Sequence, residues 1–370
     1  MKVCVFNHPA SFNRTPIDNL LHILRSITPN IHCVFGTYEY DHYSHDETLT
    51  CHHIPNVAHS GAILRILNYL CIQVRMAKQI HMLKEKIDTS FFFIGGDTLL
   101  LPIVYSKLLN KKIILLLAGS SIKTHQMNQD KLAIGLKILR SPCLSLSDVI
   151  VVYAPTLIQD YQLEPYRHKI LIAHEHFLDF ETFTVTTPLA DRSPLIGYIG
   201  RLSGEKGVQH FAQALPAILS DREDLRALIG GDGDLKETIA ASLQEQGVTA
   251  RVDLPGWISH DDLPRYLNQL RLLVLPSYTE GLPNIMLEAM ACGTPVLATP
   301  VGAIPDVIID GKTGFIMENN SPECIVENVI RALNSPDLDR IAEAGRRFVE
   351  ENFTFERTVE NWQEILQSIE

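Results

Sequence analysis

The residues best suited to chemistry in this sequence are two glutamates, Glu280 and Glu288, eight residues apart in the segment PSYTEGLPNIMLEAMACGTPVLATPVG. The apolar run that ends at Leu275 predicts a buried parallel strand, and residues 284–291 predict a helix. Glu280 would follow the carboxyl end of the strand, where open α/β sheets bind ligands. Glu288 would lie one turn into the helix, where its carboxylate could accept two hydrogen bonds from a vicinal diol such as a ribose. We therefore interpret this segment as a sugar-binding site.

The turn between that strand and that helix belongs to the same candidate site. Gly281 and Leu282 interrupt the apolar run, Pro283 stands near the first helical position, and Asn284 opens the helix. The backbone amides at such a helix start can bind phosphate or sugar oxygens. Taken alone, Glu288 could equally be a solvated or capping residue, so its assignment depends on the neighbouring motifs.

A second candidate loop reads GRLSGEKG, residues 200–207, after one predicted strand and before a helix predicted over 208–219. It begins at Gly200 and places two cations, Arg201 and Lys206, five residues apart beside the positive end of a helix. This suits a diphosphate, whose negative charge grows as a sugar-phosphate bond breaks. The loop is neither a GxxxxGK[ST] loop nor a GxGxxG fingerprint. For either cation alone, a solvated surface role is the ordinary alternative; we expect Lys206 and Glu288 both to be exposed.

A third loop, GGDGD at residues 230–234, follows the next predicted strand. Its glycines, Gly233 among them, would let the backbone approach a ligand closely. Asp232 and Asp234 form a D-x-D, which binds a divalent metal in some transferases. We favour a plain glycine turn in which Asp234 caps the helix predicted from Leu235, and we expect no metal.

Short apolar runs alternate with helical stretches along the whole chain, which indicates parallel sheets wrapped by helices. The first series of predicted strands covers residues 3–6, 31–35, 91–94, 113–117, 149–152 and 170–173. The second covers residues 195–199, 227–229, 252–254, 272–275, 296–299 and 315–317. The fold class is therefore α/β, with two doubly wound, Rossmann-like domains facing each other across a cleft.

A polar, turn-rich segment, residues 183–194, is the candidate linker between the domains. We predict an N-terminal Rossmann-like domain over 1–183 and a C-terminal Rossmann-like domain over 184–354. Two closing helices are predicted over 338–352 and 355–369, and the last segment, 355–370, would cross back to the first domain with Trp362 as its packing anchor. A chain of 370 residues exceeds the usual size of a single hydrophobic core, which agrees with two domains.

Charge is distributed unevenly. The first 185 residues carry a net charge of +2 and thirteen of the fifteen histidines, and the remainder carries −13. A near-neutral half beside an acidic half argues against nucleic-acid binding, which needs a basic surface. The seven cysteines are odd in number and never form CxxC, which favours reduced thiols in a cytoplasmic protein. We read neither a signal peptide nor a membrane span.

Together the motifs resemble those of glycosyltransferase family 4, the retaining transferases with the GT-B fold. The resemblance is carried over residues 195–317 by GRLSGEKG, GDGD, PSYTEGLPNIMLEAMACGTPV and DGKTGF, in that order. It implies that Arg201 and Lys206 bind the donor diphosphate, that Glu288 holds the ribose, and that Glu280 with the Gly281 to Asn284 turn contacts the donor sugar and phosphates. It also implies that PGWI at 255–258, with Trp257 and Ile258, lies against the base. Ordinary packing is the alternative for Trp257.

The resemblance implies a retaining, metal-independent transfer without a protein nucleophile, in which the acceptor hydroxyl attacks as the nucleotide departs. We expect a sugar to move from a nucleoside-diphosphate sugar, with UDP-sugar favoured, to a hydroxyl of a glycan or lipid-linked saccharide. Two alternatives stay open: a catalytically impaired sugar-nucleotide-binding partner or sensor, and a GT-B sugar-nucleotide epimerase. The first predicts donor binding without turnover, and the second needs no acceptor.

The first domain departs from the family pattern at two places. Many relatives carry Gly-Gly after the first strand, where this chain reads NHPASF at residues 7–12, and His-Gly after a later strand, where it reads AGSS at 118–121. These losses support the sensor alternative unless His8 or His125 supplies the missing imidazole. Near 173–179 the usual Asn-Gly-Val-Asp is changed, and Asp179 is kept.

Two other features of the first half invite a binding interpretation. The cluster Cys51-His52-His53, with His42, His45 and His59, suggests a metal, but adjacent His52 and His53 on a strand would point to opposite faces. A helical stretch over 63–87 carries Arg65, Arg75, Lys78, Lys84 and Lys86 among apolar residues, and Lys131, Lys137 and Arg140 form a second basic stretch. Peripheral contact with the inner face of a membrane is one interpretation, and an ordinary surface helix is the other.

Overall fold

The structure, a computed structural model of the chain, describes residues 1–8, 14–57, 61–118 and 132–369. The chain forms two compact units. The first unit comprises Met1–His176 together with Phe355–Glu370, and the second comprises Phe177–Thr354. Each unit contains one parallel sheet with helices packed around it.

The first unit has a seven-stranded sheet in the order β3-β2-β1-β4-β5-β6-β7. Its strands are β1 (Val3–Phe6), β2 (Ile31–Phe35), β3 (Leu49–His53), β4 (Thr89–Phe92), β5 (Lys112–Leu117), β6 (Val149–Val152) and β7 (Ile170–Ile172). Its α-helices are α1 (Arg14–Ile27), α2 (Thr37–Tyr43), α3 (Ala62–Met82), α4 (Leu100–Leu108), α5 (Leu132–Leu146), α6 (Thr156–Asp160) and the C-terminal α14 (Phe355–Ser368). VCVF in β1 and VIVV in β6 are apolar and buried at every position, as expected for a parallel sheet covered on both faces.

Trp362 is an aromatic anchor of helix α14 in the first unit. Trp362 is fully buried, and its ring lies 5.9 Å from that of Phe91 in β4. Its indole Nε1 donates to the carbonyl oxygen of His174 at 2.9 Å, so the polar edge of this large side chain is satisfied. The C-terminal segment thus supplies core to the unit that contains the N-terminus.

The second unit has a six-stranded sheet in the order β10-β9-β8-β11-β12-β13. Its strands are β8 (Leu195–Ile199), β9 (Arg226–Gly230), β10 (Val252–Gly256), β11 (Leu272–Leu275), β12 (Val296–Ala298) and β13 (Phe315–Ile316). Its α-helices are α7 (Val208–Asp221), α8 (Lys236–Glu245), α9 (Leu263–Leu267), α10 (Asn284–Ala291), α11 (Ile304–Val307), α12 (Pro322–Leu333) and α13 (Leu338–Asn352). Its core is built from the apolar faces of the strands and of α7, α12 and α13, with Phe211 and Ile218 fully buried.

Three local predictions are wrong. The predicted series omits strand β3, because its sequence LTCHH has no apolar run. The strand is held by its pairing with β2, in which Cys51 lies opposite Cys33. The predicted helix over 63–87 ends at Met82. Helix α8 begins at Lys236, with Leu235 at its N-cap and no side-chain cap, so Asp234 does not cap it.

No helix within the described ranges combines the length and apolar character needed to cross a membrane.

Candidate functional site

The sheet order of the second unit places two of the predicted loops side by side. From β8 the chain winds through β9 and β10 to one edge of the sheet, and β11, β12 and β13 lead to the other. In open α/β sheets ligands bind beyond the carboxyl ends of the strands at such a reversal, here between β8 and β11. The loop after β8 is residues 200–207, and the loop after β11 is residues 276–283. Both loops therefore lie at the switch point.

Lys206 and Glu280 form an ion pair between these two loops. The Lys206 Nζ lies 2.8 Å from each of the two carboxylate oxygens of Glu280. Ser277 Oγ also donates to Glu280 Oε1, at 2.7 Å. The side chain of Glu280 is only 8% exposed and that of Lys206 27%, so the ammonium compensates a carboxylate that is largely withdrawn from water. The expectation that Lys206 is exposed is therefore wrong, and Ser277 is a site residue that the sequence interpretation missed.

The backbones of the two loops also brace each other. The amide of Tyr278 donates to the carbonyl oxygen of Glu205 at 2.9 Å. Gly207 has φ of 65°, and a Cβ at that position would lie 2.0 Å from the carbonyl oxygen of Pro276. Only glycine can satisfy both the backbone angle and this close approach. The Lys206 and Glu280 side chains are thus fixed by their own loops as well as by each other.

Arg201 contributes a second, freer cation. Its side chain is 71% exposed, and its nearest carboxylate is that of Glu205, at 3.9 Å. Glu205 is itself engaged by the hydroxyl of Ser203 at 2.6 Å. The backbone at Arg201 is fixed because its carbonyl oxygen accepts a hydrogen bond from the buried Tyr198 hydroxyl at 2.7 Å. The guanidinium is therefore available to an anionic ligand.

The glycine turn after β9 packs against the loop after β8. The amide of Gly200 donates to the carbonyl oxygen of Gly230 at 3.0 Å. Gly233 has φ of 151°, and a Cβ there would lie 2.5 Å from the carbonyl oxygen of Leu202. The neighbouring protein backbone thus already requires glycine at this position, a reason different from the ligand approach that we predicted.

Asp232, the first carboxylate of the D-x-D, has partners within the protein. Its Oδ1 accepts the amide of Gly233 at 2.9 Å and lies 3.6 Å from the Nζ of Lys236. Among the residues that the structure describes, no group of three or more His, Cys, Asp or Glu side chains could hold a metal ion.

The turn from Gly281 to Asn284 connects the ion pair to helix α10. The Gly281 carbonyl oxygen accepts the amide of Ala303 at 2.8 Å, Leu282 and Pro283 are buried, and Asn284 is partly exposed. Pro283 occupies the N-cap and no side chain caps the helix. The amide of Met286 donates to the carbonyl oxygen of Pro283 at 3.1 Å, and the earlier amides of α10 are placed where they can donate to a ligand.

Glu288 lies on α10 beside a histidine that the sequence interpretation passed over. Its carboxylate is 10% exposed, so the expectation of an exposed Glu288 is also wrong, and its Oε1 lies 3.2 Å from the Nε2 of His260. The hydrogen bond to Glu288 raises the pKa of His260 above its usual value, against an opposing effect of burial. His260 lies two residues after the segment predicted to contact the base, and this proximity is the signal that could have drawn attention to it.

Trp257 and Ile258 follow the Gly256 end of β10. Trp257 is 71% exposed, which is incompatible with the ordinary packing role considered as its alternative. Ile258 instead packs inward: its Cδ1 lies 2.5 Å from where a Cβ on Gly230 would stand. The segment thus presents a large exposed aromatic surface on an anchored backbone.

In the first unit, the carboxyl end of β1 carries a buried polar pair. Asn7 Nδ2 donates to Glu39 Oε1 at 3.3 Å, and both residues are at most 1% exposed. The ring of His8 stacks on that of Tyr69 at 5.9 Å, and burial lowers the pKa of His8 to about 4, so its imidazole is neutral near pH 7. Three parts of these predictions lie outside the described residues. They are the remainder of the NHPASF departure, the Gly119 to Ser121 part of the second departure, and His125.

The histidines of the candidate metal cluster have separate partners. His52 lies 3.2 Å from His32 on the adjacent strand, and His53 lies 2.9 Å from the hydroxyl of Thr37. Burial is the main cause that lowers the pKa of His52, to about 4. His59 is outside the described part of the chain. These separate contacts agree with the expectation that His52 and His53 point to opposite faces of the strand.

Helix α3 presents an apolar surface to solvent. Seven of its large apolar side chains are 47% to 76% exposed: Ile63, Leu64, Ile66, Leu67, Leu70, Val74 and Met82. The exposed cations Arg65, Arg75 and Lys78 lie on the same helix, and its sequence contains no acidic residue. The second basic stretch differs, since Arg140 is 13% exposed and pairs with Asp97 at 3.3 Å. Lys131 lies outside the described residues, and the side chain of Lys137 is not described.

Residues 179–348 match the family described as glycosyl transferases group 1. Over 178 residues the chain is 30% identical to alpha-D-kanosaminyltransferase of Streptomyces kanamyceticus, which covers 46% of each protein. The chain thus spans about half the length of the curated relatives that it matches. The match falls on the second unit.

Solved structures resemble the chain over its whole length. HepE from Anabaena in complex with UDP superposes with a TM-score of 0.77 at 16% identity, covering 100% of both chains. Sucrose-phosphate synthase from Thermosynechococcus elongatus also gives a TM-score of 0.77, at 17% identity, covering 100% of this chain and 99% of that one. These likenesses confirm the predicted fold class, α/β with two Rossmann-like domains of the GT-B type.

Proposed function

The second unit carries a glycosyl transferases group 1 domain, and from this premise we propose that the protein is a glycosyltransferase. It moves a sugar from a nucleoside-diphosphate sugar to a hydroxyl of a glycan or lipid-linked saccharide. The observation that carries the proposal is the Lys206–Glu280 ion pair at the switch point of the sheet, with Arg201 exposed beside it.

The pair suits a reaction in which a diphosphate leaves. In the free protein Lys206 neutralises Glu280; when a donor binds, its ammonium can turn to the diphosphate while the carboxylate accepts hydrogen bonds from sugar hydroxyls. As the bond between the anomeric carbon and the phosphate oxygen breaks, charge grows on that oxygen, where Lys206, Arg201 and the free amides of α10 stabilise it. The acceptor oxygen then bonds to the anomeric carbon, and its proton leaves with the departing nucleotide or with solvent.

We favour a UDP-sugar as donor. Glu288 has one carboxylate oxygen engaged by His260, which leaves the other for a ribose hydroxyl. Trp257, with most of its surface exposed, offers a face for a base. HepE, which shares the fold, has been crystallised with UDP and with UDP-glucose, and this supports the choice of uridine.

Retention of configuration and metal independence belong to the same proposal. Lys206 and Ser277 engage Glu280, which favours a hydrogen-bonding role for this carboxylate over that of a nucleophile. Arg201 and Lys206 provide the positive charge that a metal supplies elsewhere. The anomeric configuration of the first product, read by NMR before mutarotation, tests the first point; an inverted product refutes it.

The first test is a thermal-shift panel with UDP, GDP and ADP and their sugars. A ligand at about 100 times its Kd stabilises the folded state by roughly 2.7 kcal/mol, a shift of several degrees. A clear shift with one nucleotide names the donor class, and slow release of sugar from that donor supports an enzyme. Binding without any turnover supports the sensor alternative, and an altered sugar without acceptor supports the epimerase. No shift with any nucleotide refutes the proposal.

We also propose that the protein contacts an anionic membrane surface through α3. The helix combines seven exposed apolar side chains with three exposed cations, the composition of a helix that lies in a lipid interface. The lipid-linked class of acceptor would be presented at such a surface.

Flotation with vesicles of phosphatidylglycerol and phosphatidylcholine tests this contact. The double variant Leu67→Asn/Leu70→Asn should lose most of the bound fraction. The matched control Leu254→Asn/Ile309→Asn changes two similarly exposed residues of the second unit and should float like wild type. Equal flotation of all three proteins, or binding that ignores lipid charge, refutes the contact.

A further inference from the structure

The carboxylate of Glu288 depends on a single side chain for its orientation. It is 10% exposed on a helix, and the one hydrogen bond to it from the described part of the chain comes from His260, at 3.2 Å. A carboxylate so far withdrawn from water needs a donor, and without one it would adopt another rotamer or draw in water. Its Oε2 has no such partner among the described side chains. The contact therefore fixes one oxygen and leaves the other to a ligand.

His260 is itself held in place, although it is 68% exposed. Its ring meets the ring of Phe183 edge to face, with centroids 5.2 Å apart, and Phe183 is 3% exposed. Phe183 is fixed in turn because its amide donates to the carbonyl oxygen of Asp179 at 2.8 Å. An exposed imidazole is thus oriented by a buried ring on one side and a buried carboxylate on the other.

We propose that His260 is a positioning residue for donor binding, which holds Glu288 so that its free oxygen receives the ribose hydroxyls of the nucleotide. The inference rests on the proposed function, since it assigns Glu288 to the ribose. His260 need not touch the donor itself. Its effect is carried by the orientation and charge of the Glu288 carboxylate.

The charge of His260 gives the proposal a pH dependence. Below its raised pKa the imidazolium both donates to and attracts Glu288; above it the neutral ring donates only in one tautomer and without charge. Since the pKa is raised in the folded protein, the stabilising effect is complete below the usual 6.5 and is lost as pH rises through the raised value. The other groups that face the pair are Asp261, the Cys292 thiol, Arg192 and Arg346. Burial raises the pKa of the Cys292 thiol to about 12, and the two arginines act electrostatically on that thiol.

The test is the ratio of the Kd values for 2′,3′-dideoxy-UDP and UDP, measured by calorimetry at pH 6.0 on wild type, His260→Ala and His260→Gln. The ratio isolates the ribose contact from the diphosphate contacts. In wild type we expect a ratio of about ten, the effect of a hydrogen bond to a charged group. His260→Ala should reduce the ratio to near one, and His260→Gln, which keeps a neutral donor, should restore most of it. His210→Gln is the matched control, because His210 also uses one ring nitrogen, toward the Tyr278 hydroxyl at 2.8 Å.

A second arm measures the Kd of UDP-glucose from pH 5.5 to 9, because its diester phosphates do not titrate there. Affinity should fall several-fold as pH rises in wild type and stay level in His260→Gln. An unchanged dideoxy ratio in His260→Ala, with UDP still bound, overturns the positioning role and leaves the proposed function intact. A wild-type protein that binds no nucleotide overturns both. Unfolding temperatures of all variants should agree within about 2 °C, since the His260 side chain is mostly exposed.

Discussion

Replacing Lys206 by methionine should separate the stability of the switch-point site from its chemistry. The change removes the ammonium from a carboxylate that is 8% exposed and leaves Ser277 as its remaining hydrogen-bond donor among the contacts described above. Breaking a fully buried pair costs about 3–5 kcal/mol. Because 27% of the Lys206 side chain is exposed, solvent screens part of this charge, and we expect about half that cost, roughly 2 kcal/mol.

The double variant Lys206→Met/Glu280→Gln should recover most of that stability. A neutral amide needs no counter-charge, and an ion pair replaced by neutral groups of similar shape is often near neutral in free energy. In both variants kcat should be lower than in wild type by a factor of about 10²–10³, because each lacks the cation that faces the leaving diphosphate. The second substitution should therefore restore stability without restoring activity.

Urea unfolding followed by fluorescence measures the stability of each variant. Turnover is measured as release of nucleotide from the donor that the thermal-shift panel identifies. Lys236→Met is the matched control, since Lys236 pairs with Asp232 at 3.6 Å and both side chains are about half exposed. It should change stability by less than about 0.5 kcal/mol and leave kcat unaltered. Normal turnover in Lys206→Met, or joint recovery of stability and turnover in the double variant, would refute the assignment.

Three further predictions follow from buried or coordinating groups. Arg192→Ala should lower the free energy of unfolding by about 3–5 kcal/mol in urea titrations, because the 5% exposed guanidinium satisfies oxygens of Thr187, Leu267, Asn268, Leu270, Cys292 and Thr294; an unchanged midpoint would contradict this. Burial raises the pKa of Glu175 from 4.5 to about 8, so its stabilising contribution is complete below 4.5 and is lost as pH rises toward 8; Glu175→Gln should flatten that part of the stability profile, and a profile that keeps its slope would be the contrary result. Turnover should persist in EDTA, and loss of activity that Mn²⁺ restores would revive the metal role of Asp232 and Asp234.

The local elements of the proposed donor site are predictable from sequence because local signals specify them. Pro283 and the apolar pattern after it place helix α10 at residues 284–291, where the structure has it. The strand before it covers Leu272–Leu275, as predicted. Here the chain's own propensities and its tertiary environment agree.

The contacts that connect those elements are not predictable in the same way. Lys206 and Glu280 are 74 residues apart, and they meet only because β8 and β11 are neighbours in the sheet. His260 and Glu288 are 28 residues apart, and their contact depends on how one exposed loop returns past α10. Sequence patterns state which loops lie at the ligand-binding edge, whereas the partners of each charge depend on sheet order. The burial of Lys206 and Glu288 is not predictable for the same reason, since it depends on which other loop packs against each side chain.

The tight packing of backbone at Gly207 and Gly233 has a consequence for directed evolution of donor preference. In a library that randomises every position of both loops, most members would be unable to close the loops. Any side chain at position 207 or 233 would lie within 2.5 Å of a carbonyl oxygen. The positions open to substitution are those whose side chains face solvent and are not assigned to the diphosphate, Trp257 above all. A small library confined to such positions samples new ligand contacts while the supporting backbone stays intact, so sugar and base preference can be altered without first rebuilding the fold.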